Sequence, residues 1–219
     1  MNALLPSDGS QEHPNLQLSV LTNPSQWLRL PSHLPAETIM HQKSDFSATS
    51  LRSALAGQDL IISTTAGGDT DQQIGIIDAA VAVGVRRFMP HEFGHDTLNH
   101  EISKRVVKSA GRAKVIEHLR AVVTDTDDFE WVGVATGYTL DTGLISGNMG
   151  FDLEWHSATI HGCGAETFAA SSLQRVGQVV SRIILHWEEV KNQYIYAAGL
   201  LTSANEVLRG AEKATRHEF

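Results

Sequence analysis

The sequence predicts an α/β protein: a parallel sheet with helices on both faces, followed by a smaller C-terminal unit. Three observations carry this. Short strands with apolar cores, of the kind buried on both faces, stand at residues 59–64, 85–89 and 131–135. Between them lie segments with apolar residues at helical spacing, and such alternation argues for βαβ units. After Gly150 the alternation gives way to a different pattern.

Composition bounds the rest. The chain has 219 residues, 42% hydrophobic and 19% charged, as in an ordinary soluble globular protein. A formal net charge of −8 disfavours direct binding to nucleic acid, which needs a basic face to displace counterions. The single Cys163 cannot form an internal disulfide, which suits a reducing, cytoplasmic compartment. No apolar run reaches the roughly 20 residues needed to span a bilayer, and the first residues show no secretory pattern.

In chain order, residues 1–15 are polar and turn-rich and read as a disordered lead-in. Residues 16–22 alternate apolar and polar side chains as a strand does, until Asn23-Pro24-Ser25 stops them. Residues 26–37 have no clear period, and 38–42 form a short strand. Leu51, Ala54 and Leu55 mark a helix over 50–56, which Gly57 closes. Strand 59–64 is followed by a small-residue loop, 65–71, containing Gly67-Gly68. The spacing then predicts a helix over 72–83 capped by Gly84, a strand over 85–89, and a polar loop over 90–96. One long helix is expected over 103–121, with a basic face of Lys104, Arg105, Lys108, Arg112 and Lys114. An acidic turn at 125–128 leads to strand 131–135 and a loop at 136–143. Beyond it come a strand at 155–161, a turn at 162–165, a helix over 172–187, a strand at 192–198 and a helix over 202–214.

Two patterns suggest chemistry. His91-Glu92-Phe93-Gly94-His95 matches the H-E-x-x-H of zinc hydrolases, where a helix puts both ligands on one face. Gly94 inside the pattern and the strand before it argue against a helix here, so the expectation is a polar loop that holds no metal. That loop leaves the carboxyl end of a parallel strand, where open α/β sheets bind their ligands. The second pattern is Lys108 and Arg112, four apart on one helical face. A lysine in a cleft acts as a general acid, whereas guanidinium keeps its proton near neutral pH; a solvated basic face accounts equally for the pair. The glycine fingerprint G-x-x-G-x-x-G is not found in the sequence.

The run from Leu55-Ala56-Gly57-Gln58-Asp59-Leu60-Ile61-Ile62-Ser63-Thr64, through Gln72, to Ile77-Asp78-Ala79-Ala80 and Gly84-Val85-Arg86-Arg87-Phe88-Met89-Pro90-His91-Glu92-Phe93-Gly94-His95-Asp96 resembles the NmrA-like and isoflavone-reductase-like family, in particular its fungal branch. The likeness continues at Phe129-Glu130-Trp131, Gly150-Phe151-Asp152-Leu153, Lys191-Asn192-Gln193-Tyr194-Ile195-Tyr196, and Thr202 with Asn205-Glu206. The resemblance implies an atypical short-chain dehydrogenase: a Rossmann-like NAD(P)-binding domain over 16–145, incomplete because the family's first strand is missing, and a partial substrate-binding subdomain over 146–219. It implies NADPH-dependent reduction of a small, often aromatic, secondary metabolite or, alternatively, a non-catalytic dinucleotide-sensing regulator. It implies that Thr22 and Asn23 border the adenosine end, that Ser63, Thr64 and Gln72 line the cofactor cleft, and that Gly137 and Tyr138 sit near the nicotinamide.

The family's general-acid lysine falls on Arg112, with Lys108 one turn earlier. Its arginine for the 2′-phosphate of NADP falls on Asn23. With the glycine turn and both cations changed, NADP binding is expected to be weak or absent. The uncovered sheet edge is a place for a second copy of the chain, giving a homodimer.

Overall fold

The computed structural model describes residues 16–26, 39–65 and 69–219. The lead-in at 1–15 and Gly67-Gly68 lie outside them, as do residues 27–38. Two strands, β1 (Leu18–Thr22) and β2 (Ile39–Lys43), pair in parallel with Thr22 opposite Lys43. A four-stranded parallel sheet follows in the order β10 (Gln193–Tyr196), β5 (Glu130–Ala135), β4 (Arg87–Met89), β3 (Leu60–Ile62). Among the described residues no strand joins β3 to β1, so β3 ends the larger sheet.

Adjacent residues on β4 and β5 point to opposite faces, and each face has its own core. Phe88 and Trp131 face one way, onto helices α1 (Ala48–Leu55), α2 (Thr70–Ala82) and α4 (Val107–Asp125) through Leu51, Leu55, Ile76, Ile77, Val115, Ile116 and Leu119. Met89, Val132 and Val134 face the other way, onto α6 (Leu173–Leu185) and α7 (Trp187–Val190) through Val179, Val180, Ile183 and Trp187. Leu21 of β1 packs against the first core, so the two-stranded unit sits on the same apolar layer. Helix ends follow local chemistry. Asp69 caps α2 by accepting from Gln72 N at 3.0 Å, and Ser203 with Glu206 forms a capping box at α8 (Ala204–Thr215).

Several sequence expectations are corrected. The helix expected over 103–121 is two: α3 (His100–Arg105) and α4, with Val106 extended between them (φ −116°, ψ 102°). Asn99 caps the first from outside the expected span, and Ser109 is fully buried on what reads as a basic face. The loop expected at 136–143 folds as β6 (Tyr138–Thr139) and α5 (Leu140–Ile145). The strand expected at 155–161 shrinks to β8 (Ser157–Ala158), antiparallel to β7 (Phe151–Asp152). The helix expected over 172–187 breaks at His186 into α6 and α7. Two strands escape a reading by period: β9 (Thr167–Ser171) and β11 (Leu200–Ser203), which with β6 form a third sheet in the order β11-β9-β6.

Candidate functional site at the carboxyl edge of the sheet

The carboxyl ends of β3, β4 and β5 release three chain segments to one edge. Ser63, after β3, donates its N–H to the Met89 carbonyl of β4 at 2.9 Å. Gly94, after β4, forms a parallel bridge with Ala135 of β5, and the Gly137 N–H donates to the Gly94 carbonyl at 2.9 Å. The 90–96 loop is thus held between its neighbours as irregular extended chain. His91 and His95 are not on a helix, which removes the geometry that the H-E-x-x-H reading needs.

Glu92, at the loop's centre, is 1% exposed. Its Oε2 accepts from the Tyr194 hydroxyl of β10 at 3.0 Å, and that hydroxyl accepts from Thr97 N at 3.1 Å. Its Oε1 is buried without a partner. Burial pushes the Glu92 carboxyl above its ordinary value. Beside it, burial and then the Arg112 charge hold His91 down to about 4, and the same two causes lower His95, whose ring bonds to the Ser109 hydroxyl. Arg112 reaches this loop from α4. Its Nη1 lies 3.1 Å from the point where a Cβ on Gly94 would stand, and its Nε is buried without a partner. Gly111, the preceding residue, is where α4 meets Thr70 at the start of α2; a Cβ there would clash with the threonine hydroxyl.

These shifts give acid and base arms of opposite sign. A proton binds unfolded His91 near its ordinary 6.5 and folded His91 only near 4. The stabilisation from neutral His91 is therefore complete above about pH 6.5 and is lost as pH falls toward 4. Buried Glu92 does the reverse: its contribution is complete below the ordinary carboxylate value and is lost as pH rises through its raised one. His91→Asn is expected to flatten the fall in melting temperature between pH 6.5 and 4, and Glu92→Gln is not. An acid arm unchanged in His91→Asn would assign it to other groups.

Of the residues expected at the site, Ser63, Gly137 and Arg112 come to this edge. Ser63 is buried, with its hydroxyl 3.1 Å from that of Thr65; Thr64 beside it is exposed. Gly137 has a positive φ of 76° that lets the chain turn back toward β9. Tyr138 lies over Gly143 and edge-on to Phe168, 38% exposed. Lys108 is exposed in the first turn of α4, and Arg112, one turn on, is half-buried. Thr22 and Asn23 lie at the carboxyl end of β1 with their side chains engaged. Thr22 Oγ1 is 2.7 Å from His41 Nε2, and Asn23 Oδ1 accepts from the Ser25 N–H and hydroxyl.

Gln72 gives its backbone N–H to Asp69 at the start of α2. The adjacent Gln73, 4% exposed, is the residue whose side chain meets the site, its Oε1 accepting from His91 N at 3.3 Å. Its spacing from Ile76, Ile77 and Ala80 places it on the buried face of the helix, the signal that distinguishes it from Gln72. Glu92 and Tyr194 are also sequence-invisible partners, 102 positions apart. Among the described residues no group of three or more histidine, cysteine or acidic side chains is arranged to hold a metal ion.

A parallel sheet covered on both faces by helices, with its loops gathered at the carboxyl ends of the strands, is a Rossmann-like fold. The NmrA-like family model matches residues 35–219, and the chain belongs to that family. It is similar to the oxidoreductase aprR of Aspergillus flavus, with 33% identity over 204 residues covering 92% of this chain and 66% of that relative. The chain therefore spans about two thirds of the length of this relative. Among solved structures it resembles AtPrR2 with NADP+ and (+)pinoresinol (TM-score 0.70, 17% identity, covering 94% of this chain and 70% of that one). It also resembles isoflavone reductase (TM-score 0.60, 19% identity, 92% and 68%). Among the described residues no helix is long and apolar enough to cross a membrane.

Proposed function

We propose that this chain is an NAD(P)-dependent oxidoreductase of the reductase type, working in the cytoplasm on a small, often aromatic, secondary metabolite. The observation that carries this reading is the joining of the 63–65, 90–96 and 136–138 segments at one sheet edge, with Arg112 laid against Gly94. When bound, NADPH supplies hydride; the chain's own residues hold and orient what meets it. Gly137 and Tyr138 border the nicotinamide, and Ser63, Thr64 and Gln72, joined by Gln73, line the cleft between β3 and α2. Arg112, with Lys108 at the mouth, steadies negative charge that forms on the reduced substrate. Residues 16–145, completed by β10, α6 and α7 on the same sheet, act as the dinucleotide domain, and the rest of 146–219 acts as the substrate subdomain. A second copy covers the open strand edge.

The residues present fit the nicotinamide half of the cofactor, where buried polar atoms of His91 and Arg112 await partners. They fit the adenosine end less well. Thr22 and Asn23 are engaged locally, and Lys43, the register partner of Thr22, is the cation at that end. NADPH binding by these 219 residues is expected to be weak, with a dissociation constant of about 1 mM. Titration by cofactor fluorescence measures it, and a low-micromolar constant would show that a full cofactor site is present. A second reading, a non-catalytic dinucleotide-sensing regulator, is favoured by one observation: the cation meeting the cleft is an arginine, which cannot release a proton near neutral pH. Bound NADPH that is never oxidised in the presence of small carbonyl and aromatic acceptors would support it.

A further inference from the structure

Between α5, the first turn of α6 and the start of β11 lies a cavity of about 400 Å³. Sites for small molecules commonly span about 300–1,000 Å³. Among the described residues none of segments 63–65, 90–96 and 136–138 lines it, so it is separate from the edge described above. Its walls are mainly apolar. Leu140 and Leu144 stand one turn apart on α5, and Leu200 of β11, left 46% exposed, adds a third leucine. One side is pinned. The Gly199 N–H donates to the Ala170 carbonyl at 3.0 Å and to the Ser171 hydroxyl at 2.9 Å, and that hydroxyl donates to the Thr136 carbonyl at 2.6 Å. A Cβ on Gly199 would lie 3.3 Å from Arg175 Cγ, so the stem of Arg175 runs along the bare turn while its head stays in the open.

The polar groups around this cavity are not balanced. Both oxygens of Asp141 are taken by backbone donors: Oδ1 accepts from Thr142 N at 3.0 Å, and Oδ2 from Leu173 N at 2.9 Å. The Ser172 oxygen accepts from Arg175 N at 3.1 Å, which leaves its O–H to donate. Arg175 makes no ion pair among the described residues, although Asp141 lines the same cavity. What remains free is therefore a set of donors, headed by a guanidinium, beside three leucines. A ligand that fits must bring acceptors at one end and an apolar body at the other. We propose that this cavity is a second small-molecule site, which takes an apolar carboxylic acid with its carboxylate on Arg175 and its body on Leu140, Leu144 and Leu200. The guanidinium fork matches the two oxygens of a carboxylate. Asp141 serves as a fixed wall: it ties α5 to the start of α6 and gives the leucines and Arg175 a constant spacing. The site does not depend on the reductase reading, because no residue of the proposed cofactor edge lines it.

The full chain without cofactor is titrated with 4-phenylbutyrate and with its uncharged counterpart 4-phenylbutanamide, and backbone amides are followed by NMR. Both are expected to shift Gly199 and Leu200, and neither to shift Gly94. The acid is expected to bind about fivefold tighter than the amide, the modest gain of a charge pair at an exposed site. Arg175→Gln removes that preference and leaves the amide's affinity as it was, and Arg175→Lys keeps part of it. Leu200→Ser weakens acid and amide alike. All three variants keep the melting temperature of the parent chain, since each changes an exposed side chain. Acetate, which has the charge without the body, leaves Gly199 unmoved at matched concentration. Equal affinity for acid and amide overturns the proposal, as does a preference that survives in Arg175→Gln. Shifts gathered at Gly94 instead of Gly199, an acetate response equal to that of 4-phenylbutyrate, or no binding at several millimolar overturn it too. None of these outcomes bears on the NADPH titration, whose failure would leave this site standing.

Discussion

Gly137→Ala is expected to destabilise the protein by about 2–5 kcal/mol, a large part of the 5–15 kcal/mol that holds a typical domain together. Two costs add. The residue sits at φ 76°, where a side chain strains the backbone. A Cβ there would also enter the backbone of β9, meeting the Ala169 carbonyl and standing 2.8 Å from Ala170 N. β9 cannot retreat, since it is the middle strand of β11-β9-β6. Gly84→Ala separates the two costs: its φ is 79°, but no atom lies within 4 Å of the added Cβ. Urea unfolding is expected to show a drop in midpoint for Gly84→Ala equivalent to about 1–2 kcal/mol, and a clearly larger one for Gly137→Ala. Equal shifts would mean that the β9 contact is not tight. Because Gly137 N–H also ties the loop to Gly94, the same variant loosens the cleft.

Trp131→Ala is the second large effect, at about 3–5 kcal/mol. The indole is 2% exposed in the centre of the first core, and it packs so closely beside Gly133 that a Cβ on the glycine would lie 3.3 Å from the ring. Removing it leaves a cavity among Phe88, Phe129, Ile77 and Leu119 that strands on either side keep from collapsing. Trp155, 78% exposed, is the control, and Trp155→Ala is expected to change stability by no more than about 0.5 kcal/mol. Thermal or urea melts of the two variants compare them directly. A Trp131→Ala cost near that of Trp155→Ala would contradict the packing described.

The parallel sheet was legible because its signal is local. Phe88-Met89 and Trp131-Val132 are apolar neighbours, and only a strand buried on both faces needs that. Helix α2 was legible from Gly84 at its end as much as from its period, whereas the Asp69 cap starts it at Thr70, two residues before the expected 72. What escaped depends on partners far away in the chain. β9 and β11 are ordinary short runs until they face each other, with Ala170 opposite Leu200. The interruption at Val106 follows from a cap at Asn99 and from burying Ser109 beneath His95, neither visible in a pattern of charges.

The site was half legible. Its place followed from the loop after β4, and Arg112 from the spacing of α4. Glu92 looked like a metal-site base or a surface acid until Tyr194, on a strand 102 positions later, closed over it. Gln72 and Gln73 differ by one step of helix, and only the packing of Ile76 and Ile77 on the sheet decides which one turns inward.

Hydrogen exchange with and without several millimolar NADPH tests the central claim most directly. A cofactor cleft at the carboxyl edge requires slowed exchange in segments 63–65, 90–96 and 136–138, and none in the β7–β8 hairpin, which belongs to a separate two-stranded sheet. Protection confined to other segments, or no protection anywhere at that concentration, would contradict it.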